Sequence, residues 1–154
     1  VTDEREIAFD YLPDPNNAGW MIWGPRQNGR FNTLYNPVRV REEEPGRVAR
    51  VRVLPDEILT SVTGKMHGGA TAGFIDIAIF AGARGCGINE SGFAVTIDLS
   101  IQFLAPGEAG RNMDAVVELV RETGRMAFLR GTVEQDFGVI ATFMATIRKV
   151  GQNR

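Results

Sequence analysis

Met66-His-Gly-Gly-Ala-Thr-Ala-Gly-Phe-Ile-Asp-Ile-Ala-Ile-Phe-Ala-Gly-Ala83 is the stretch whose reading decides the fold. From Gly68 to Ala83 nearly every residue is apolar or small, and one charge, Asp76, interrupts the run. Read as a helix, the segment has no polar face, which predicts a helix buried on all sides. A carboxylate in the middle of such a helix must be paired, neutralised or used, because burying a bare charge is costly. Ala70, Ala72, Gly73, Ala78, Ala81, Gly82 and Ala83 would let the surrounding backbone come close. The run is too short and too interrupted for a membrane span, which needs roughly 20 apolar residues.

Downstream, Gly85-Cys-Gly87 and Asn89-Glu-Ser-Gly92 break the chain, and four strand candidates follow. In Val95-Thr-Ile-Asp-Leu-Ser-Ile-Gln-Phe103 the odd positions are apolar and the even ones polar, the period of a half-buried strand. Pro106-Gly107 stops it. Residues 114–121, 126–135 and 139–150 come next, separated by Thr123-Gly-Arg125 and Asp136-Phe-Gly138. Turns this short imply antiparallel neighbours.

Upstream, strands are expected from near Leu34. Tyr35, Val38 and Val40 precede the turn Glu42-Glu-Glu-Pro-Gly46, and Val48, Val51 and Val53 follow it, a hairpin with one wet face. Residues 2–10 suggest a short helix with Thr2 as N-cap, ended by Pro13-Asp-Pro-Asn-Asn17. Trp20 and Trp23 then anchor an N-terminal arm on the core or form a lid. A hairpin, one buried helix and a four-stranded meander make an α+β domain, its antiparallel sheet curled around the helix. The outer face of that sheet is expected to carry Val116, Val120, Leu129, Val133, Ile140 and Met144, which predicts partial cover by another subunit.

The 154 residues suit one domain with a real core. A net charge of −2 argues against general binding to nucleic acid or a membrane surface, but leaves room for a local basic pocket. The single cysteine, Cys86, excludes an internal disulfide and a cysteine-built metal site, and is read as inert. The single histidine, His67, excludes a multi-histidine metal site. Asp3, Glu4, Arg5 and Glu6 stand where a signal peptide would need an apolar core, which predicts a cytoplasmic protein.

His67-Gly68-Gly69 opens the predicted helix. Two glycines there leave backbone N–H groups unshielded, and with the helix dipole they can polarise a carbonyl or hold an oxyanion; a plain turn is the alternative. Asp76 lies about 12 Å along the axis from Gly68, at ~1.5 Å per residue. One carbonyl bound at the helix start cannot also touch Asp76 of that helix. If both act on one bond, they come from two chains and the site lies at a dimer interface. Otherwise Asp76 is a buried structural acid, satisfied by hydroxyls or an arginine from the sheet.

His67-Gly68-Gly69, Asp76 nine residues after the histidine, the strand Val95 to Phe103 with Leu104-Ala-Pro106, and Gly124-Arg125 together resemble the hotdog-fold acyl-CoA thioesterases. The branch is the phenylacetate-pathway and 4-hydroxybenzoyl-CoA thioesterase-like one, and the resemblance covers roughly residues 34 to 149. It implies a hotdog domain over residues 34–150, an N-terminal extension over 1–33 and a tail over 151–154. Dimerisation would be edge to edge, with dimers paired into tetramers. The reaction would be hydrolysis of an acyl-CoA thioester, with no cofactor. Asp76 would be nucleophile or general base. The Gly68 N–H would polarise the thioester carbonyl, with His67 and Gly69 beside it, and Thr96 would help place the water or the carboxylate. Six residues before His67 this branch carries Asn or Gln, whereas this chain has Ser61, a shorter donor. The CoA phosphates would need cations at the pocket mouth, for which Arg125, Arg130, Arg148 and Lys149 are candidates. Two other functions stay open: a hotdog hydratase or dehydratase acting on acyl thioesters, and a non-catalytic acyl-CoA-binding module, which the Ser61 replacement favours.

Overall fold

The computed structural model describes residues 9–89 and 93–149. Helix α1, Gly68–Gly85, takes up the apolar run, and Phe74, Ile75, Ile77, Ala78, Ile79, Ala81 and Ala83 are buried on it. His67 caps its start, with extended backbone and a side chain that accepts from the Gly69 N–H. Its end is set by Gly87, whose φ of +98° is cheap only for glycine. There the Gly87 N–H bonds Arg84 O at 3.0 Å and the Ile88 N–H bonds Ala83 O at 3.0 Å, the paired bonds of a Schellman cap. The small residues do bring backbones together. A Cβ on Gly82 would stand 2.6 Å from Val117 Cβ, and one on Gly85 would stand 2.7 Å from Ala49 Cβ and Val40 Cγ1. The helix therefore rests directly on the sheet. Cys86 is buried beside it, and burial pushes its thiol up to about 11, which fits the inert reading.

Eight strands surround this axis: β1 (Phe9–Pro13), β2 (Met21–Pro25), β3 (Val38–Glu44), β4 (Val48–Val53), β5 (Val95–Phe103), β6 (Met113–Glu122), β7 (Met126–Gln135) and β8 (Gly138–Arg148). They form one antiparallel sheet in the order β1-β2-β3-β4-β6-β7-β8-β5. Alternate residues point to opposite faces, so Val38, Val40, Ala49, Val51, Ala115, Val117, Ala127, Leu129, Ala145 and Ile147 face α1 and close the core. This is the expected α+β architecture, a curled sheet around one long helix. Among the described residues no helix is long and apolar enough to cross a membrane.

Three expectations change. The helix over residues 2–10 gives way to strand where it can be checked: Phe9–Pro13 pairs with β2, while residues 1–8 lie outside the described ones. Phe9 and Tyr11 pack one side of β1 on the core, an arrangement that aromatic residues favour. Phe9 stacks on Trp23 with ring centroids 5.4 Å apart. Tyr35 is in a short 3-10 helix, Phe31–Tyr35, not a strand, and β3 starts at Val38. Finally, Leu129, Val133 and Ile140, expected outside, are 2%, 0% and 1% exposed and belong to the core. In β7 both alternate sets carry apolar residues, so apolarity could not choose between them. A register shift opposite Val133 and Glu134 then brings Ile140 and Ala141 inward together. Val120 and Met144 are exposed as expected, Val116 is half-buried, and Phe128, not expected there, is exposed with them.

Over β3, β4, β6 and β7 the outer face carries ion pairs. Arg50 reaches Glu43, Asp114 and Glu134 at 2.8, 2.9 and 2.6 Å, and Arg52 reaches Asp114 at 2.7 Å. Both tryptophans anchor the first hairpin: Trp23 is in the core, and the Trp20 ring is met by the Arg41 and Arg52 guanidinium groups, each 4.7 Å from its centroid. The β1–β2 loop is tied down by buried Asp14. Its carboxylate accepts from the Asn16 N–H at 2.9 Å, Arg39 Nε at 2.6 Å and Asn17 Nδ2 at 2.8 Å, which together hold its pKa at about 2. The folded value thus lies below that of an unfolded aspartate, about 3.9. The stability from this group is complete above that unfolded value and is lost as pH falls towards 2. Thermal melts should show Asp14→Asn losing less Tm than the parent between about pH 5 and pH 2.

Candidate functional site

At the start of α1 most donors are committed. His67 Nδ1 accepts from the Gly69 N–H at 2.9 Å, so the neutral ring carries its proton on Nε2. The Ala70 and Thr71 N–H groups bond the His67 carbonyl at 2.9 and 3.0 Å. The His67 N–H bonds Leu59 O and the Met66 N–H bonds Gly107 O, both at 2.9 Å, which fixes where the helix begins. The Gly68 N–H has no acceptor among the described residues and lies at the positive end of the helix dipole. His67 thus acts as the cap that orients this turn, and Gly69 serves the cap.

Asp76 is two turns along, on the side of α1 that also carries Gly69, Gly73 and Phe80 by the ~100° step per residue, where β5 meets the helix. It is half-buried, and its Oδ1 accepts from Thr96 Oγ1 at 2.6 Å, while Oδ2 has no partner among the described residues. Strict alternation would put Thr96 beside Asp98 on the polar side of β5. A bulge prevents this: Thr96 pairs with Ile147 and Asp98 with Thr146, leaving Ile97 as the extra residue. The bulge turns Thr96 in to the helix. β5 pairs with β8 alone, at the end of the sheet. Within one protomer Val95, Ile97 and Phe103 are 51%, 54% and 56% exposed, so this strand is more open than its pattern predicts.

The remaining expected residues divide. Ser61 spends its hydroxyl on Thr63 Oγ1, 2.8 Å away, in a turn closed by the Ser61 N–H to Lys65 O at 2.7 Å. It makes no hydrogen bond to His67, Gly68 or Asp76 among the described residues. Arg130 is on the outer face, paired with Glu118 at 2.8 Å. Lys149 is paired with Glu122 at 2.7 Å. Arg125, in the β6–β7 turn, and Arg148, opposite Val95 in the ladder, are at the Thr96 end of the sheet and make no ion pair among the described residues. Sequence reasoning missed the cleft beside Gly68, about 380 Å³, walled by Met66, Phe103, Leu104 and Ile140. It also missed Thr71, which lines that cleft, is buried, and has a hydroxyl without a partner among the described residues. An unpaired buried hydroxyl costs about 1–3 kcal/mol. The signal was present: Thr71 and Asp76 are the two side chains with hydrogen-bonding groups between Gly68 and Ala83.

Residues 63–147 match the family model of the thioesterase superfamily, more than half of the chain. The chain belongs to the thioesterase superfamily. Solved structures agree in fold. A point mutant of the phenylacetic acid degradation protein PaaI from Thermus thermophilus is 25% identical, with a TM-score of 0.61 over 77% of this chain and 96% of that one. Zebra fish thioesterase superfamily member 2 is 18% identical, with a TM-score of 0.68 over 81% and 89%. A hypothetical thioesterase from Streptococcus pneumoniae, solved with coenzyme A, is 16% identical, with a TM-score of 0.64 over 79% and 92%. No curated protein sequence matches this one. The thioesterase-superfamily assignment confirms the hotdog fold and covers both Gly68 and Asp76.

Proposed function

We propose that this protein hydrolyses an acyl-CoA thioester, with Asp76 of one protomer acting on a carbonyl held at the Gly68 N–H of a second copy. The observation that carries the reading is the Thr96–Asp76 hydrogen bond, which orients one carboxylate oxygen and leaves the other without a partner among the described residues. Family membership supports the thioester. As a base, Asp76 takes a proton from water while the water oxygen bonds the carbonyl carbon. As a nucleophile, its own oxygen forms that bond, and water then splits the resulting anhydride. In both routes the carbon–sulfur bond breaks, CoA leaves with the electron pair as thiolate, and the acid is released. No metal is needed for either route. Arg125 and Arg148, free of ion pairs among the described residues, suit the CoA phosphates better than Arg130 does.

The test is a panel of saturated acyl-CoAs and an enoyl-CoA with a thiol-detecting reagent. Thiol release from the saturated substrates supports hydrolysis. A change of enoyl-CoA without thiol release would point to hydration instead. Tight binding with no reaction would point to a non-catalytic module, the reading that the commitment of Ser61 to Thr63 favours. Thr96→Val removes a hydrogen bond to a charged group, of the kind that contributes about 1.5–3 kcal/mol. Steady-state assays should show kcat lower by about tenfold or more, with the melting temperature lower by about 3 °C or more.

A further inference from the structure

Gly68 and Thr71 both line the cleft, and the Gly68 N–H and Thr71 Oγ1 have no protein partner among the described residues. Thr71 is 4% exposed, so little of its side chain meets solvent. The neighbouring N–H donors are occupied, Gly69 by the His67 ring and Ala70 and Thr71 N–H by the His67 carbonyl, and the Ser61 hydroxyl is hydrogen-bonded with Thr63, either of the two donating. Side chains on an α-helix lean towards its N-terminus and lie over the residue three or four earlier. Thr71 therefore stands over Gly68. The rest of the wall, Met66, Phe103, Leu104 and Ile140, is apolar. One N–H and one hydroxyl in such surroundings suit a single acceptor atom, and a cleft of about 380 Å³ has room for the group that carries it.

We infer that the Thr71 hydroxyl is the second donor to the thioester carbonyl oxygen held at Gly68. This rests on the acyl-CoA reading above. The hydroxyl and the N–H share the negative charge that builds on that oxygen when the carbonyl carbon is attacked. Thr71 thereby supplies the side-chain donor that Ser61, turned to its own loop, does not.

Thr71→Val keeps the shape and removes the hydroxyl. Its expected effect is a fall in kcat of about tenfold to a hundredfold with KM little changed. Thr71→Ser should stay within about threefold of the parent. The melting temperature of Thr71→Val should hold or rise, because the lost hydroxyl had no protein partner. Parental turnover in Thr71→Val would overturn the inference. A second arm reads the contact without turnover. Two acyl-CoA analogues are titrated calorimetrically: a ketone with CH₂ in place of sulfur, and a thioether lacking the carbonyl oxygen. Thr71→Val should weaken the ketone by about fivefold or more and leave the thioether unchanged. Equal weakening of both, or of neither, refutes the contact. If the parent releases no thiol, the hydrolytic reading fails on its own, while the ketone-to-thioether comparison still decides for or against Thr71. If the parent binds neither analogue, both fall.

Discussion

Asp76→Asn is expected to lower kcat for thiol release by about three orders of magnitude, within the range for loss of a positioned acid–base group. Asparagine has the shape of aspartate, and its amide oxygen can still accept from Thr96, so the 2.6 Å contact that orients the side chain survives. Asparagine loses the capacity to take a proton or to attack a carbonyl carbon. Because Asp76 is half-buried and the Thr96 contact is kept, the melting temperature should move little and KM should stay near the parental value. Stopped-flow or steady-state thiol detection with a folded variant decides the matter. Undiminished turnover would remove Asp76 from the chemistry and leave it as a structural partner of Thr96.

Gly68→Pro should lower kcat by about a hundredfold or more, because it deletes the N–H at the start of α1 that has no acceptor among the described residues. Proline is tolerated as the first helical residue, and His67 before it already has φ −66° and ψ 134°, the extended geometry that a following proline requires. A Cβ at Gly68 meets nothing closer than the Phe103 ring at 3.9 Å. The helix should therefore form as before, and circular dichroism with a melt checks this. The two variants together test whether the site is shared. A heterodimer of Asp76→Asn with Gly68→Pro contains one centre with both native groups, if each centre draws on two chains. Mixing the two should restore about half of the parental activity per heterodimer. Mixing without recovery would place Gly68 and Asp76 of one chain in the same centre, against their separation of about 12 Å along the helix.

What could be read in advance follows from how each residue signals. α1 was legible because sixteen residues with a single charge, too few to span a membrane, are left with burial in a core, and because short turns force antiparallel neighbours. Asp76 and the Gly68 N–H were legible for the same reason: a charge and a bare backbone are conspicuous in an apolar run. The inward turn of Thr96 was hidden, since an unbroken alternation in β5 concealed the bulge at Ile97. The inner face of β7 was hidden because Met126 and Phe128 compete with Leu129 and Val133 for the core. The first hairpin was missed because acidic residues near Thr2 imitate a helix start, while Phe9 and Tyr11 go to the sheet. Thr71 was passed over as one more small residue, and only the cleft beside it gives its hydroxyl meaning.

Gly82 and Gly85 seat α1 on Val117, Ala49 and Val40 with no side chain between, so the helix has nothing on which to slide or roll. The offset between its first turn and its acid is therefore as stiff as the sheet beneath. Any tolerance for acyl groups of different size must come from movable walls, and the exposed segment from Phe103 to Pro106 is the nearest one. On the proposed reaction, breadth of substrate choice is then a property of that short connection, and a change there should leave the spacing between Gly68 and Asp76 undisturbed.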